Sequence, residues 1–258
     1  MQFIDTHCHI IPGVDDGPGN ADVSLEMARL AVADGIGTVV ATPHVVEGYY
    51  LGEDRELQLR RLRSLFTREN LDLNLVAGAE VPMSLCASGD ENLLKRLSIG
   101  GRYLLMEPSE TSMEQLAKSI YQVRLCGLYP VLAHPERYSF AHNQISALAQ
   151  LLGGNDVYIQ VTVAAIEGLF GKRAQRAWEQ LAAAGIVHLI GTDAHSARLR
   201  APLLSASYEK LSRLAGDEAA RVIMLENPVR MLAGERLAWA KPSPKRGFWP
   251  GHFARRKR

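Results

Sequence analysis

Short apolar runs alternate with longer amphipathic stretches along this chain, and the apolar runs end on a narrow set of residue types. Phe3-Ile4 leads into Asp5-Thr6-His7-Cys8-His9, Thr38-Val39-Val40-Ala41 into Thr42-Pro43-His44, and Leu73 to Ala77 into Gly78-Ala79-Glu80. Tyr103 to Met106 stops at Glu107, Tyr129 to Ala133 at His134-Pro135-Glu136-Arg137, and Ile186 to Ile190 runs on to Thr192-Asp193-Ala194-His195. Such continuous runs read as buried strands. Between them, Val23, Met27, Leu30 and Ala31 recur at helical spacing in Ala21 to Ala33, which stops at Asp34-Gly35. Leu57 to Phe66 is amphipathic and Arg-rich, Met113 to Leu125 ends at Cys126-Gly127, Asn143 to Leu152 ends at Gly153-Gly154, and Ala164 to Ala184 is closed by Gly185. This alternation predicts an α/β fold with a mostly parallel sheet. With about seven βα units, the expectation is a distorted, TIM-like (β/α)7 barrel carrying functional residues at the carboxyl ends of its strands. No internal repeat is present.

Composition narrows the class. With 258 residues and 47% hydrophobic content the chain can bury a substantial core. A net charge of +1 gives no global reason to expect nucleic acid as a partner. Cys8, Cys86 and Cys126 are odd in number and lack metal-like spacing, which fits a reducing compartment. There is no signal-peptide pattern at the start and no apolar run near the roughly 18–20 residues that span a bilayer. A cytoplasmic protein without an integral membrane segment is expected. After Trp239 the pattern changes to Lys241-Pro242-Ser243-Pro244 and a basic, aromatic end containing Phe248, Trp249 and Phe253. Residues 1–240 are therefore read as the barrel. Residues 241–258 are read as an extended tail, either a solubilising terminus or a docking arm.

The strand ends carry the chemistry. His7 and His9 are two apart on a strand and point the same way, so both can reach one metal while Cys8 points into packing. Asp15-Asp16-Gly17 forms a turn able to return a carboxylate to the same mouth. With His44, Glu80, Glu107, His134, Asp193 and His195, nine imidazoles and carboxylates are candidate ligands, too many for one tetrahedral site and enough for two or three. The mix suits Mn, Fe, Zn or Co rather than Ca. An isolated His at a strand end is more often a hydrogen-bonded surface residue than a ligand; the repetition in one context argues against that reading here. Other chemistries are excluded: no Cys-x5-Arg follows any cysteine, no Gly-x-Ser-x-Gly elbow exists, and Gly168-Leu169-Phe170-Gly171-Lys172 only superficially resembles a phosphate-binding loop.

At these residues the chain resembles the PHP (polymerase and histidinol phosphatase) superfamily. Within it, the resemblance is to the manganese-dependent tyrosine-protein phosphatases of capsule and exopolysaccharide loci, the CpsB/CapC/YwqE type, from about residue 3 to about residue 233. Ile4-Asp5-Thr6-His7-Cys8-His9-Ile10-Ile11-Pro12-Gly13-Val14-Asp15-Asp16-Gly17-Pro18 is close to that subfamily's opening signature, and its Asp-Asp-Gly element is the more specific part. Ala41-Thr42-Pro43-His44, Gly78-Ala79-Glu80-Val81, His134-Pro135-Glu136-Arg137-Tyr138 and Asp193-Ala194-His195 match in order. The Ser196-to-Pro202 stretch departs from the more usual Asn-containing version, and the tail past Trp239 is outside the match.

The resemblance implies three divalent ions, Mn²⁺ first. His7, His9 and Asp193 would hold one, with Glu80 bridging to a second completed by Glu107 and His134. Asp16, His44 and His195 would hold the third, with Glu107 possibly shared. Arg137 and Arg200 would hold the phosphate, with Arg198 a near competitor. A metal-bridging hydroxide would attack phosphorus in line, without a phospho-enzyme. Glu136 is a candidate acid or a partner for Arg137; Tyr49, Tyr50 and Tyr138 would line the rim or simply pack. The implied substrate is phosphotyrosine on the tail of a bacterial tyrosine kinase that controls polysaccharide export. Competing readings are a PHP phosphatase of a small ester such as histidinol phosphate, a nuclease-like phosphoesterase, a metal-dependent amidohydrolase, and a non-catalytic barrel that binds a phosphoprotein.

Overall fold

The computed structural model describes residues 2–45, 53–153 and 156–243. Tyr49, Tyr50 and the basic end of the tail are outside the described residues. Eight strands follow the chain: β1 (Phe3–Cys8), β2 (Ile36–Ala41), β3 (Asn74–Ala77), β4 (Glu80–Pro82), β5 (Tyr103–Glu107), β6 (Tyr129–Ala133), β7 (Tyr158–Thr162) and β8 (Leu189–Gly191). All ladders between them are parallel, and the order in each sheet is the order in the sequence. The helices Ala21–Ala33 and Met113–Leu125 have the bounds that periodicity predicts. Asn20 caps the first through its side chain, and Ser112 with Gln115 forms a capping box on the second.

The hydrogen bonds among the described residues do not close the (β/α)7 barrel expected from the sequence. They make two sheets, β1-β2-β3 and β4-β5-β6-β7-β8. The break falls at Gly78-Ala79, where the chain turns between β3 and β4 instead of ending one strand. The two sheets touch through isolated parallel bridges, His44 with Glu80 and Cys8 with Ala194. Backbone bonds stitch these seams: Glu80 N–H to Pro43 O at 3.0 Å, Asp193 N–H to His7 O at 2.8 Å, and His9 N–H to Ala194 O at 2.9 Å. Asp5 reinforces the second seam. Its buried carboxylate accepts from Thr192 N–H at 3.0 Å and from the Thr192 hydroxyl at 2.5 Å. Gly191 is required where β8 passes β1, because a Cβ there would sit 2.6 Å from the His7 Cβ.

Two further differences follow from local chemistry. Strand β7 is buried along its whole length, and Gln160 and Thr162 interrupt the continuous apolar run that marks other buried strands. The long helix expected over Ala164–Ala184 is two, Val163–Ile166 and Gly171–Ala183. Gly168 and Gly171 both take positive φ between them and make a turn that a helix cannot pass.

The strands divide their side chains between two apolar groups. One set packs under the helices. The other, with Val40, Leu105, Val131 and Leu189, packs around Tyr103, Tyr129 and Tyr158, whose ring centroids are 5.3–6.2 Å apart. His188, just before β8, packs edge-on against Tyr158 and Trp239, and its Nδ1 accepts from Ile159 N–H at 3.2 Å. Ser243 N–H returns to Ala215 O at 2.7 Å. Among the described residues no helix is long and apolar enough to cross a membrane.

Burial pushes the His188 imidazole down to about 3, so the folded protein holds it neutral. Below the ordinary His value of 6.5 the unfolded chain takes up a proton that the folded one refuses. This stability contribution is complete above pH 6.5 and is lost on acidification towards 3, by up to about 1.4 kcal/mol per pH unit. Urea midpoints between pH 4 and 7 should fall more steeply for the native chain than for His188→Asn; parallel curves would refute the assignment.

Candidate metal centre

The carboxyl ends of the strands deliver the predicted residues to one place. His7 is on β1 and His9 just beyond it, and their Nε2 atoms are 3.2 Å apart. The Cys8 side chain is buried in the apolar core, as alternation requires. Glu80 opens β4 and is fully buried. Its Oε2 is 3.2 Å from each of His7 Nε2, His9 Nε2 and His44 Nδ1, and its Oε1 is 2.6 Å from His134 Nε2. Asp193 Oδ1 is 3.4 Å from both His7 Nε2 and His9 Nε2. His195 Nε2 is 3.1 Å from Asp16 Oδ1, and Glu107 Oε2 is 3.5 Å from His44 Nδ1.

Three groups gather ligand atoms within 4.8 Å of one another: His7, His9, Glu80 and Asp193; His9, Asp16, His44 and His195; and His44, Glu80 and Glu107. Eight of the nine predicted residues stand in these groups, and His134 adjoins them through Glu80. The grouping differs in three details from the one implied by resemblance. His9 stands in both of the first two groups, and His44 stands beside Glu80 and Glu107. His134 reaches that pair through Glu80 Oε1 from the other side.

The donor chemistry fits cations. His7 Nδ1 is 2.7 Å from Gln160 Oε1, whose amide nitrogen donates to Thr6 Oγ1 at 2.8 Å, so His7 Nδ1 carries the proton. His9 Nδ1 likewise faces Asp15 Oδ2 at 2.7 Å. Both Nε2 lone pairs then converge on one point, facing each other and two buried carboxylates. Repulsion of this kind is relieved by a positive charge between them, and the outer Gln and Asp are what a metal-ligating imidazole uses to fix its tautomer. Titration tells the same story. Burial works against charge on Glu80 and Asp193, yet His7 and His134 beside Glu80, and His7 and His9 beside Asp193, hold both carboxyls below their usual range. Burial also opposes charge on His7 and His9, and neighbouring carboxylates outweigh it, raising both imidazoles. Glu107 goes the other way, raised by burial and then by the Glu80 charge. Burial, with His9 and Arg200 nearby, brings His195 down to about 4.

Two of the candidate ligand residues take backbone conformations that side chains disfavour. His134 has φ 34° and Asp193 has φ 52°. His134 starts the turn Pro135–Arg137, which turns Arg137 back towards Asp193, with Nη1 3.8 Å from Oδ2. Arg200 Nη2 is 2.6 Å from the same oxygen and its Nε donates to Asp193 O at 3.0 Å. The backbone oxygen of Arg200 accepts from His195 and Ser196 N–H, which fixes the loop. Arg198 is exposed, with its backbone N–H on Ser196 Oγ, and makes no contact with Asp193. Glu136 is buried and does not pair with Arg137. One of its oxygens accepts from both the N–H and hydroxyl of Thr162 at 2.9 Å. Tyr138 is half-buried beside His134, ring centroids 6.0 Å apart.

Sequence reasoning missed three supporting residues. Asp15 was read as turn chemistry, but it also orients His9 and accepts from His44 N–H at 3.0 Å. Gln160 had no signal, since it sits on the unrecognised β7. Phe170 has Arg137 over its ring at 4.8 Å and Arg200 at 5.9 Å, so one aromatic face supports both guanidinium groups. The only hint of it was the Gly168–Gly171 punctuation.

Comparison with known proteins accords with this geometry. Residues 3–233 match the family described as capsular polysaccharide synthesis, CpsB/CapC. The tyrosine-protein phosphatase YwqE of Bacillus subtilis (strain 168) is 31% identical over 248 residues, covering 94% of this chain and 96% of that protein. A protein of Staphylococcus aureus named as a tyrosine-protein phosphatase, CapC, is 28% identical over 250 residues, covering 93% and 95%. A crystal structure from a study of YwqE and Streptococcus pneumoniae CpsB, described as unique metal-dependent tyrosine phosphatases, superposes with a TM-score of 0.83 at 30% identity, covering 94% of this chain and 99% of that one. Signature, site geometry and whole-chain similarity agree, and the chain belongs to the CpsB/CapC family.

Proposed function

We propose that this chain is a metal-dependent protein-tyrosine phosphatase, a phosphoric monoester hydrolase, that acts in the cytoplasm on the phosphorylated tail of a bacterial tyrosine kinase governing capsule or exopolysaccharide synthesis. The observation that carries the reading is the convergence of eight imidazole and carboxylate residues, joined by His134 through Glu80, with two arginines on the outer oxygen of Asp193. Whole-length similarity to named tyrosine-protein phosphatases supports it. The reading takes the two sheets and their bridging pairs as a distorted (β/α)7 barrel, and residues 241–258 as a tail outside it.

His7, His9, Glu80 and Asp193 would hold one ion, Glu80, Glu107 and His134 a second, and Asp16, His44 and His195 a third, with Mn²⁺ the first choice. When bound, divalent ions supply a nucleophile from water at neutral pH and polarise the phosphoryl oxygens. The residues of the chain do the rest. Gln160 and Asp15 hold the His7 and His9 imidazoles so that their Nε2 atoms face inwards. Arg137 and Arg200, backed by Phe170, present planar forks to the equatorial phosphoryl oxygens and neutralise charge as it spreads over them. A tyrosine leaving group, with a phenol pKa of about 10, needs only partial protonation as it departs. A mouth with Asp16 65% exposed and Arg137 36% exposed is open enough for a phenyl phosphate borne on a peptide.

The first experiment is to measure metal content and then phosphate release from a phosphotyrosine peptide with Mn²⁺ and with EDTA. Mn-stimulated, chelator-sensitive release is expected, and His7→Ala should lose both metal and turnover. Bound metal without phosphotyrosine turnover would instead favour a small phosphate ester as substrate. Arg137→Ala should keep its metal and lose about 10²-fold in kcat/KM, the scale of removing one transition-state donor. An unchanged kcat/KM would remove Arg137 from the site. Phe170→Ala should weaken the same step by about tenfold, with Phe170→Trp restoring it.

A further inference from the structure

Arg137 stands at the edge of the metal centre and also lines a cleft of about 300 Å³ with Glu110, His142, Phe170 and Arg173. That cleft continues into a second, of about 490 Å³, through the shared residues His142 and Arg173; the second adds Lys172 and Arg176. The track that leads away from the reacting phosphate therefore carries four cations, Arg137, Lys172, Arg173 and Arg176, against one carboxylate. That carboxylate is already engaged: Glu110 accepts from Ser139 N–H at 3.2 Å and from its hydroxyl at 2.7 Å.

Lys172, Arg173 and Arg176 are spaced to face one way. They occupy the helix Gly171–Ala183, with Arg176 three residues beyond Arg173 and four beyond Lys172, spacings that place side chains on one helix face. All three are exposed, and none makes an ion pair with a carboxylate among the described residues. Several exposed cations elsewhere are matched, Arg221 with Glu218 and Glu226, Arg230 with Glu235, and Lys210 with Glu167, while unmatched ones such as Arg96 and Arg198 stand singly and not in a row. In a chain of net charge +1, an unmatched row beside the active mouth is a local excess and not a general property.

Resting on the phosphatase reading above, we infer that this track is a specificity subsite for an acidic peptide segment adjoining the phosphotyrosine. One helical turn of about 5.4 Å between successive cations matches about two residues of extended peptide. Asp or Glu side chains two to four residues from the phosphotyrosine would reach Arg173 and then Arg176 or Lys172. Exposed charge pairs contribute modestly each, so the track tunes which peptide is taken and leaves bond breaking to the metal centre.

The test uses the full chain and two phosphotyrosine peptides, one with Gly and Ser around the phosphotyrosine and one with Asp at two to four residues on both sides. The native protein should show about tenfold higher kcat/KM on the acidic peptide, mostly through KM, and the advantage should shrink as salt rises from 50 to 500 mM. The double variant Arg173→Glu, Arg176→Glu should lose the preference and keep its rate on the neutral peptide. Equal rates of the native protein on both peptides, or a preference that survives the double variant, would overturn the subsite. Fluorescence anisotropy of the same labelled peptides in EDTA separates the two ideas. Selective binding of the acidic peptide without turnover in Mn²⁺ would sink the phosphatase reading and leave the subsite standing; turnover without selectivity would do the reverse.

Discussion

Everything at the functional end of this molecule is organised by one electrostatic constraint: buried carboxylates must be balanced by positive charge. Glu80 and Asp193 are almost wholly withdrawn from water, and the groups around them are imidazoles and guanidiniums. Placing an uncompensated carboxylate there would cost several kcal/mol. The strands bring five imidazoles to the same spot, and second-layer partners then decide which nitrogen faces inwards. The arginines complete the balance from outside, where an incoming dianion can compete with Asp193 for their donors.

Much of this was legible in the sequence because ligand types recur at the ends of apolar runs. Each of the nine residues is individually ordinary, and the regular context made them conspicuous. Helices with a clear apolar stripe and a capping residue, such as Ala21–Ala33, were legible down to their ends. Where side chains on both faces are buried, the pattern fades. Strand β7 has Gln160 and Thr162 within its buried run, so it does not read as a continuous apolar strand, and Gln160 gave no sign of its role. The pause at Gly78-Ala79 looked like a strand ending and is a passage from one sheet to the next. Phe170 works through space on two arginines remote in sequence, and no local rule reports such a contact.

The same comparison explains why Arg200 and Arg198 were hard to tell apart. They lie three and five residues beyond His195 and are chemically identical. What separates them is a loop closed by backbone bonds from His195 and Ser196 to the oxygen of Arg200, which aims one side chain inwards and leaves the other in solvent. Such loop geometry depends on which carbonyl is left free to accept, and residue type alone carries little of that information.

The seams between the two sheets have a consequence for how the protein holds together. Both bridges occur at candidate ligand residues or their immediate neighbours, Glu80 with His44 and Cys8 with Ala194. Joining the two sheets and assembling the candidate site are thus one event. A cation that binds only the assembled arrangement contributes RT ln(1 + [L]/Kd) to folding, and it does so at the joints where the two sheets have least other hydrogen bonding. For a chain that holds metal at this site, metal supply would be a term in the lifetime of the folded state, and scarcity would thin the population of the protein itself along with its turnover.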